Sequence, residues 1–351
     1  MKRGIALFLA LVLILGTLPA TAFATGGVFD EANDGSAERP FQIADAEDLI
    51  AFAEMVNDPD QDQKNACAEL LGNIDMTGKN WVSISPQGGY GGTFNGNNFT
   101  ITIDITADEN YADPVALFGF LQRGTVKNLN VAGKLTVTAD YANDMYFSPL
   151  VAMLGYRGTV ENCSSGVEIN VDFADMFGAA GIVGYVSDEA VISGCSNWGT
   201  ITATGADSEI GVGGIVGWAD SSAVLENCYN RAAITVSGDA TAYVGGLVGF
   251  SASGPAKLVG CYSSATAEDN VYVNPSWAER TGLITWENGM GSDFLGVGYE
   301  LDGDSANCMS VSEAIDGEGN LYYMEYGFRR AQDFETAEQA KDFLNGDSGS
   351  A

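Results

Sequence analysis

Four cysteines constrain this chain more than any other feature. Cys163, Cys195, Cys228 and Cys261 are separated by 32, 33 and 33 residues, and each closes a unit of similar text: AMLGYRGTVENC, GYVSDEAVISGC, GWADSSAVLENC and GFSASGPAKLVGC. One unit upstream, FGFLQRGTVKNLN puts Leu129 at the cysteine position, 34 residues before Cys163. A period this regular over 116–264 points to a solenoid, because one unit cannot bury its apolar face alone and stacked units can.

The columns of the repeat give the local structure. Val126, Val160, Ile192, Leu225 and Leu258 stand three residues before the cysteine position. Leu135, Ile169, Ile201 and Ile234 stand six after it, and Val137, Val171, Ala203 and Val236 eight after it. The six-and-eight pair has the period of a strand with one buried face. A third apolar segment (PLVAML, GIVGY, GIVGW, GLVGF) completes the unit, with turns at RG, DE, SS and SG, a Gly- or Asn-containing bend after the cysteine, and a longer acidic loop. Three short strands per coil of about 33 residues, each coil advancing by about 4.8 Å, is the pattern of an all-β right-handed parallel β-helix. After Tyr262 the pattern decays, with Ala267 and Asp269 at the six and eight positions.

The flanks read differently. Lys2 and Arg3, the apolar run from Ile5 to Leu15 and the Ala22-Phe23-Ala24 site predict a signal peptide over 1–24. A flexible lead-in over 25–39 follows, then an N-terminal cap with the first strands over 40–112, the repeats over 113–310, and a small α/irregular C-terminal cap over 311–351. In the N-terminal cap, Leu49, Phe52, Ala53 and Val56 share one face of a helix. Asp45 is its N-cap and Asp48 supplies a carboxylate version of the capping box. Such a helix suits the open end of a solenoid core. In the C-terminal cap, Thr336 is placed to start a short helix.

Composition narrows the chemistry. The 15 basic residues face 47 acidic ones, a net charge of −32, so nucleic acid is excluded as a partner and anionic polymers are disfavoured unless calcium bridges them. The chain has no histidine, which removes Ser-His-Asp and Cys-His catalysis and histidine-ligated zinc. Asp58, Asp60, Asp62 and Glu69 mimic positions 1, 3, 5 and 12 of a calcium loop. Gln63 replaces the required glycine and Pro59 interrupts, so this reads as a solvated acidic loop. A second acidic set falls at one corner of successive coils: Asp140, Asp172, Asp175, Asp207, Glu209, Asp239, Glu268 and Asp269. Solvated charge and a calcium column are both open there, and calcium is the one cofactor in view. A carboxylate pair in that set could also serve glycosidic acid–base chemistry. The periodic cysteines read as free buried thiols rather than disulfides or metal ligands. Phe120, Met153, Tyr185, Trp218 and Phe250 form a column for which a core ladder is favoured over an exposed sugar-stacking stripe.

These segments resemble the GLUG-type repeat family. GLVGF, GIVGW and GIVGY carry its Gly-Leu-x-Gly core, NIDMTGKNWVSI its Asp75-Met76…Trp81 segment, and GGTFNGNNFTI the strand that follows. The resemblance covers about 38–285 and implies a secreted or surface protein of bacterial type folded as a β-helix. It carries no agreed catalytic residues, so none is assigned, and no metal ligand is assigned either. The resulting expectation is a non-catalytic binding or adhesion module for an extracellular glycan or surface protein, with no membrane span after signal removal. A glycan-active lyase or hydrolase and a purely structural spacer are the alternatives.

Overall fold

The computed structural model describes residues 32–111, 114–141, 145–173, 175–187, 189–205, 209–219, 224–238, 241–251, 257–259, 261–263, 295–298, 309–310, 312–315, 321–327 and 330–334. Over these the chain is a parallel β-solenoid. Face I runs from Phe41–Ile43 and Ala68–Leu70 through Thr125–Lys127 to Lys257–Val259, eight parallel strands in order. Face II includes Thr100–Ala107, Asn130–Val137 and Ser164–Phe173, and ends with Met309–Ser310 paired to Tyr262–Ser263. Face IV stacks Phe118–Gln122, Val151–Gly155, Val183–Val186, Val216–Ala219, Val248–Ser251 and Leu295–Gly298.

The apolar columns stack as the repeat demands. Val126, Val160, Ile192, Leu225 and Leu258 are successive partners on face I, and Leu135, Ile169, Ile201 and Ile234 on face II. All are buried in one continuous core. Residues on either side of the cysteines pair in register, so Leu129 and the four cysteines form one buried column. The bend that makes this corner lies immediately before the column, not after the cysteine as expected: Asn128, Asn162, Gly194 and Asn227 all have left-handed backbone, with φ between 52° and 62°. Asn and Gly are the residues that tolerate it.

The structure adds a fourth strand per coil that the three-strand reading misses. Face III consists of Tyr146–Phe147, Phe177–Ala180, Glu209–Gly213 and Thr241–Gly245, inside the segment expected to be only an acidic loop. Gly178, Ala179, Ala180, Gly211 and Gly213 are small residues with weak strand preference, so the run reads as loop. Their smallness lets face III lie almost backbone-to-backbone on face IV. A Cβ at Gly217 would stand 2.5 Å from Ala179 N, and one at Gly249 2.4 Å from Val212 N.

The ends are closed by different means. Helix α1, Ala46–Asn57, is capped by Asp45, whose carboxylate accepts from Asp48 N at 3.0 Å, while Asp48 accepts from Ala44 N at 3.0 Å. Its Phe52 packs on Phe41, Tyr90 and Phe94, sealing the first rungs. The lead-in expected to be mobile is closed over Asp34–Arg39: Gly35 N donates to Arg39 O, Arg39 pairs with Asp34, and Cys67 N donates to Gly35 O. After the solenoid, Ser312–Ile315, Leu321–Gly327 and Arg330–Phe334 form an antiparallel sheet, correcting the α/irregular cap over those residues. Tyr322, Tyr323, Tyr326 and Phe334 supply the aromatic strand preference there. The signal peptide and the helix expected from Thr336 lie outside the described residues.

Candidate functional site

The interior is chemically quiet. Cys163, Cys195, Cys228 and Cys261 are free thiols. Each donates toward a carbonyl of the preceding coil, as Cys195 Sγ does to Val160 O at 3.5 Å and Cys228 Sγ to Ile192 O at 3.4 Å. Burial, with a smaller contribution from the adjacent thiol, pushes Cys195 and Cys228 well above the usual cysteine range. A thiol held protonated is a poor nucleophile and a poor metal ligand. The column is packing material.

Two residues beyond the cysteines the interior does something the sequence reading overlooks. Asn197 and Asn230 are fully buried. Asn197 Oδ1 accepts from Gly199 N at 3.2 Å, and its Nδ2 donates to Gly199 O and to Asn230 Oδ1, both at 3.1 Å. Asn230 repeats the arrangement with Ala232 N and Ala232 O. Each amide fits against a glycine of the corner between faces III and IV, since a Cβ on Gly181 or Gly214 would overlap it. These local loops interrupt face II: strand Ser164–Phe173 is continuous, whereas the next two coils break after Asn197 and after Asn230.

The break projects the following residue outward. Trp198 is 48 % exposed, a large value for a tryptophan on a packed sheet. Its indole Nε1 donates to Ser196 Oγ at 3.1 Å. Arg231, one coil further, places its guanidinium carbon 5.1 Å from the Trp198 ring centroid, and Tyr229 meets the same ring edge-on at 5.3 Å. Indole, phenol and guanidinium thus form a small platform fixed by two stacked asparagine loops. The sequence signal was present, in CSNW and CYNR at one period's spacing, but polar residues after a cysteine read simply as a bend.

At the corner between faces IV and I, Arg123, Tyr156, Arg157 and Glu189 line an open cleft of about 300 Å³. Arg157 Nε donates to Glu189 Oε2 at 2.7 Å. All four residues have φ between 45° and 61°, a backbone region that costs a non-glycine residue roughly 1–2 kcal/mol.

The residues singled out from sequence are dispersed by the fold. In the calcium-like loop, Asp58 is occupied by Asp60 N and Gln61 Nε2, while Glu69 sits on a face I strand between Gln42 and Asn97. Asp140, Asp172, Asp175 and Glu209 are exposed, and Asp207, Asp239, Glu268 and Asp269 lie outside the described residues. Asp172 stacks beside Thr204, not another acid. Tyr243 donates to Glu209 at 2.9 Å, and burial together with that bond pushes its phenol up to about 12. Among the described residues no three acidic or cysteine side chains gather as a metal site.

Four of the five aromatic-column residues, Phe120, Met153, Tyr185 and Phe250, are only partly buried, contrary to the favoured reading, whereas Trp218 is buried. Leu121, Leu154, Val186 and Ala219 point inward and are fully buried, so Phe120, Met153, Tyr185, Trp218 and Phe250, one residue earlier, face out. Continuous apolar text hides which alternate residue is inside. The column is half-covered rather than free: Tyr146 lies on Tyr185 at 4.5 Å, and Tyr243 stacks on Phe250 at 4.7 Å. It closes the seam between faces III and IV.

No family model and no curated protein matches this chain. A solved structure described as a "putative immunoglobulin A1 protease from Bacteroides ovatus" superposes with a TM-score of 0.53 at 21 % identity, covering 66 % of this chain and 68 % of that one. No helix among the described residues is long and apolar enough to cross a membrane. What the chain shares with that structure is the fold, a parallel β-solenoid.

Proposed function

We propose that this chain is a GLUG-type binding module, secreted by or displayed on a bacterial cell, that recognises an extracellular glycan through the Trp198–Tyr229–Arg231 platform. The observation that carries this is Trp198, exposed at the break in face II with its N–H already satisfied. An indole so placed offers an apolar face to the C–H side of a sugar ring. Arg231 and the outward hydroxyls of Thr202 and Thr235, stacked on face II, supply hydrogen bonds beside it. Binding asks for a pre-formed surface with an anchor and a polar surround, and the two asparagine loops hold the anchor in place without ligand. The reading is non-catalytic, and the −32 net charge favours neutral glycans at this surface.

The test is a glycan array on the purified chain, repeated with Trp198→Ala. Saturable binding of a neutral oligosaccharide that falls roughly tenfold or more in the variant, at an unchanged melting temperature, is the expected result. Protein-dependent release of reducing ends from a polysaccharide panel would replace this reading with the glycan-active one. Binding unaffected by Trp198→Ala would place the site elsewhere.

A further inference from the structure

The corner between faces IV and I goes beyond that reading. In a chain with 15 basic residues against 47 acidic ones, Arg123 and Arg157 occur on consecutive turns of one corner and line one cleft with Tyr156. Arg123 is exposed and makes no ion pair among the described residues. Arg157 is held by Glu189 of the next coil through Nε, which leaves the Nη groups of its fork for another partner. Tyr156 is 51 % exposed beside them.

The backbone adds an independent observation. Gly158 N donates to Gly155 O at 2.9 Å, closing a four-residue turn whose two central residues, Tyr156 and Arg157, have φ of 45° and 61°. Turns with both central residues left-handed ordinarily take Asn-Gly, because those residues adopt that backbone with little strain. Tyr-Arg is a poor choice for the turn. A sequence that keeps two bulky side chains in such a place is explained by what the side chains do.

We propose that this cleft is a binding site for a single carboxylate carried on a sugar ring, the acidic terminal residue of a glycan. The guanidinium forks of Arg123 and Arg157 suit a planar carboxylate, and a half-exposed tyrosine ring suits the face of a pyranose. A volume of about 300 Å³ is at the small end of ligand clefts and accommodates one ring rather than a chain. Charge decides between one carboxylate and many. A polyanion meets the repulsion of the −32 surface along its whole length, whereas at physiological salt a lone carboxylate senses mainly charges within about 8 Å, where the arginines are.

The test is calorimetric titration of the full chain with 3′-sialyllactose, a glucuronic-acid-terminated disaccharide, lactose, tetragalacturonate and a short neutral peptide with a free C-terminus. Expected is saturable binding of the sialyl or the glucuronyl probe, whichever it is naming the source of the carboxylate, at least roughly tenfold tighter than lactose. Methyl esterification of the probe, Arg123→Ala, Arg157→Ala and Tyr156→Ala should each remove roughly tenfold or more, while Trp198→Ala leaves it unchanged. Arg157→Lys keeps the charge, loses the fork, and should also bind weakly at an unaltered melting temperature. Equal binding of lactose, tighter binding of tetragalacturonate or the peptide, indifference to the arginine substitutions, or no heat with either acidic sugar at millimolar concentration overturns the proposal. Because Trp198 lies at the break in face II and Arg157 at the corner between faces IV and I, loss of the platform reading and loss of this one are separately visible.

Discussion

The two corners that flank face I are built under opposite constraints: the one toward face II takes two residues in every coil, whereas the one from face IV lengthens from two residues to three and then four. Between faces I and II the chain turns through Asn128, Asn162, Gly194 and Asn227, then drops Leu129 or a cysteine into the core, coil after coil. Between faces IV and I it turns through Arg123, then Tyr156-Arg157, then Glu189, with bulky or charged residues in the same left-handed region. One corner is nearly uniform because every rung must hand the next an identical surface to stack on. The other faces solvent, where stacking asks little, and each rung is free to differ. Repetition in this molecule marks what holds it together, and departure from repetition marks where recognition can be placed.

The comparison can be broken most decisively at Leu225, at the end of face I just before the uniform corner. Leu225→Ala removes a fully buried side chain between Ile192 and Leu258 and should cost about 2–5 kcal/mol in a denaturant titration. A loss under about 1 kcal/mol would mean the rungs relax far more than a packed ladder allows. Next in size is Asn197→Ala, which strips Gly199 N and Asn230 Oδ1 of a partner and should cost about 1–3 kcal/mol. It should also weaken glycan binding through Trp198, a combination that Ser196→Ala should not reproduce in full.

At the variable corner the expected sign reverses. Replacing Tyr156-Arg157 by Asn-Gly gives the turn residues its backbone prefers and should raise stability by about 1 kcal/mol. The same change should abolish binding of the carboxylate probe. If the double variant is instead less stable, the side chains contribute packing and the corners differ less than argued.

The smallest effect is nil at neutral pH. The folded pKa of Cys195 and Cys228 is raised, so their contribution to stability is fully present below the unfolded thiol value of about 8.5. As pH climbs past that, the unfolded chain sheds protons that the folded chain keeps, and stability falls. Urea midpoints should therefore hold steady from pH 6 to 8 and decline above it, less steeply in Cys195→Ser. Thiol reagents should label the column only after unfolding.

Much of this was legible in the sequence, for a physical reason. Columns such as Val126 to Leu258 are apolar at one period, and in-register stacking is the arrangement that buries them all, so the solenoid and the cysteine column follow from text alone. Helix α1 was readable from its cap and its face. Face III was not, because Gly178 and Gly211 owe their extended conformation to tight packing on face IV rather than to any preference of their own. The outward turn of Trp218 and Phe250 was hidden for the complementary reason: an apolar run does not say which alternate residue is inside. Trp198 stayed obscure because its exposure depends on what the Asn197 amide bonds to, a choice that a sequence does not declare.

The buried amides also bear on how the chain finds its register while folding. Apolar columns are nearly interchangeable, so a nascent solenoid could skip a coil and dock Val160 on Leu225 almost as comfortably as on Ile192. The Asn197–Asn230 bond cannot be skipped so cheaply. Looping out the coil that carries Asn197 would set Asn230 against Ser165, whose shorter side chain reaches less far. The amide pair therefore works as a notch on an otherwise smooth ratchet. Chains lacking it should reach compact, strand-rich states quickly yet sort slowly among misaligned stacks, a kinetic defect that equilibrium stability alone would understate.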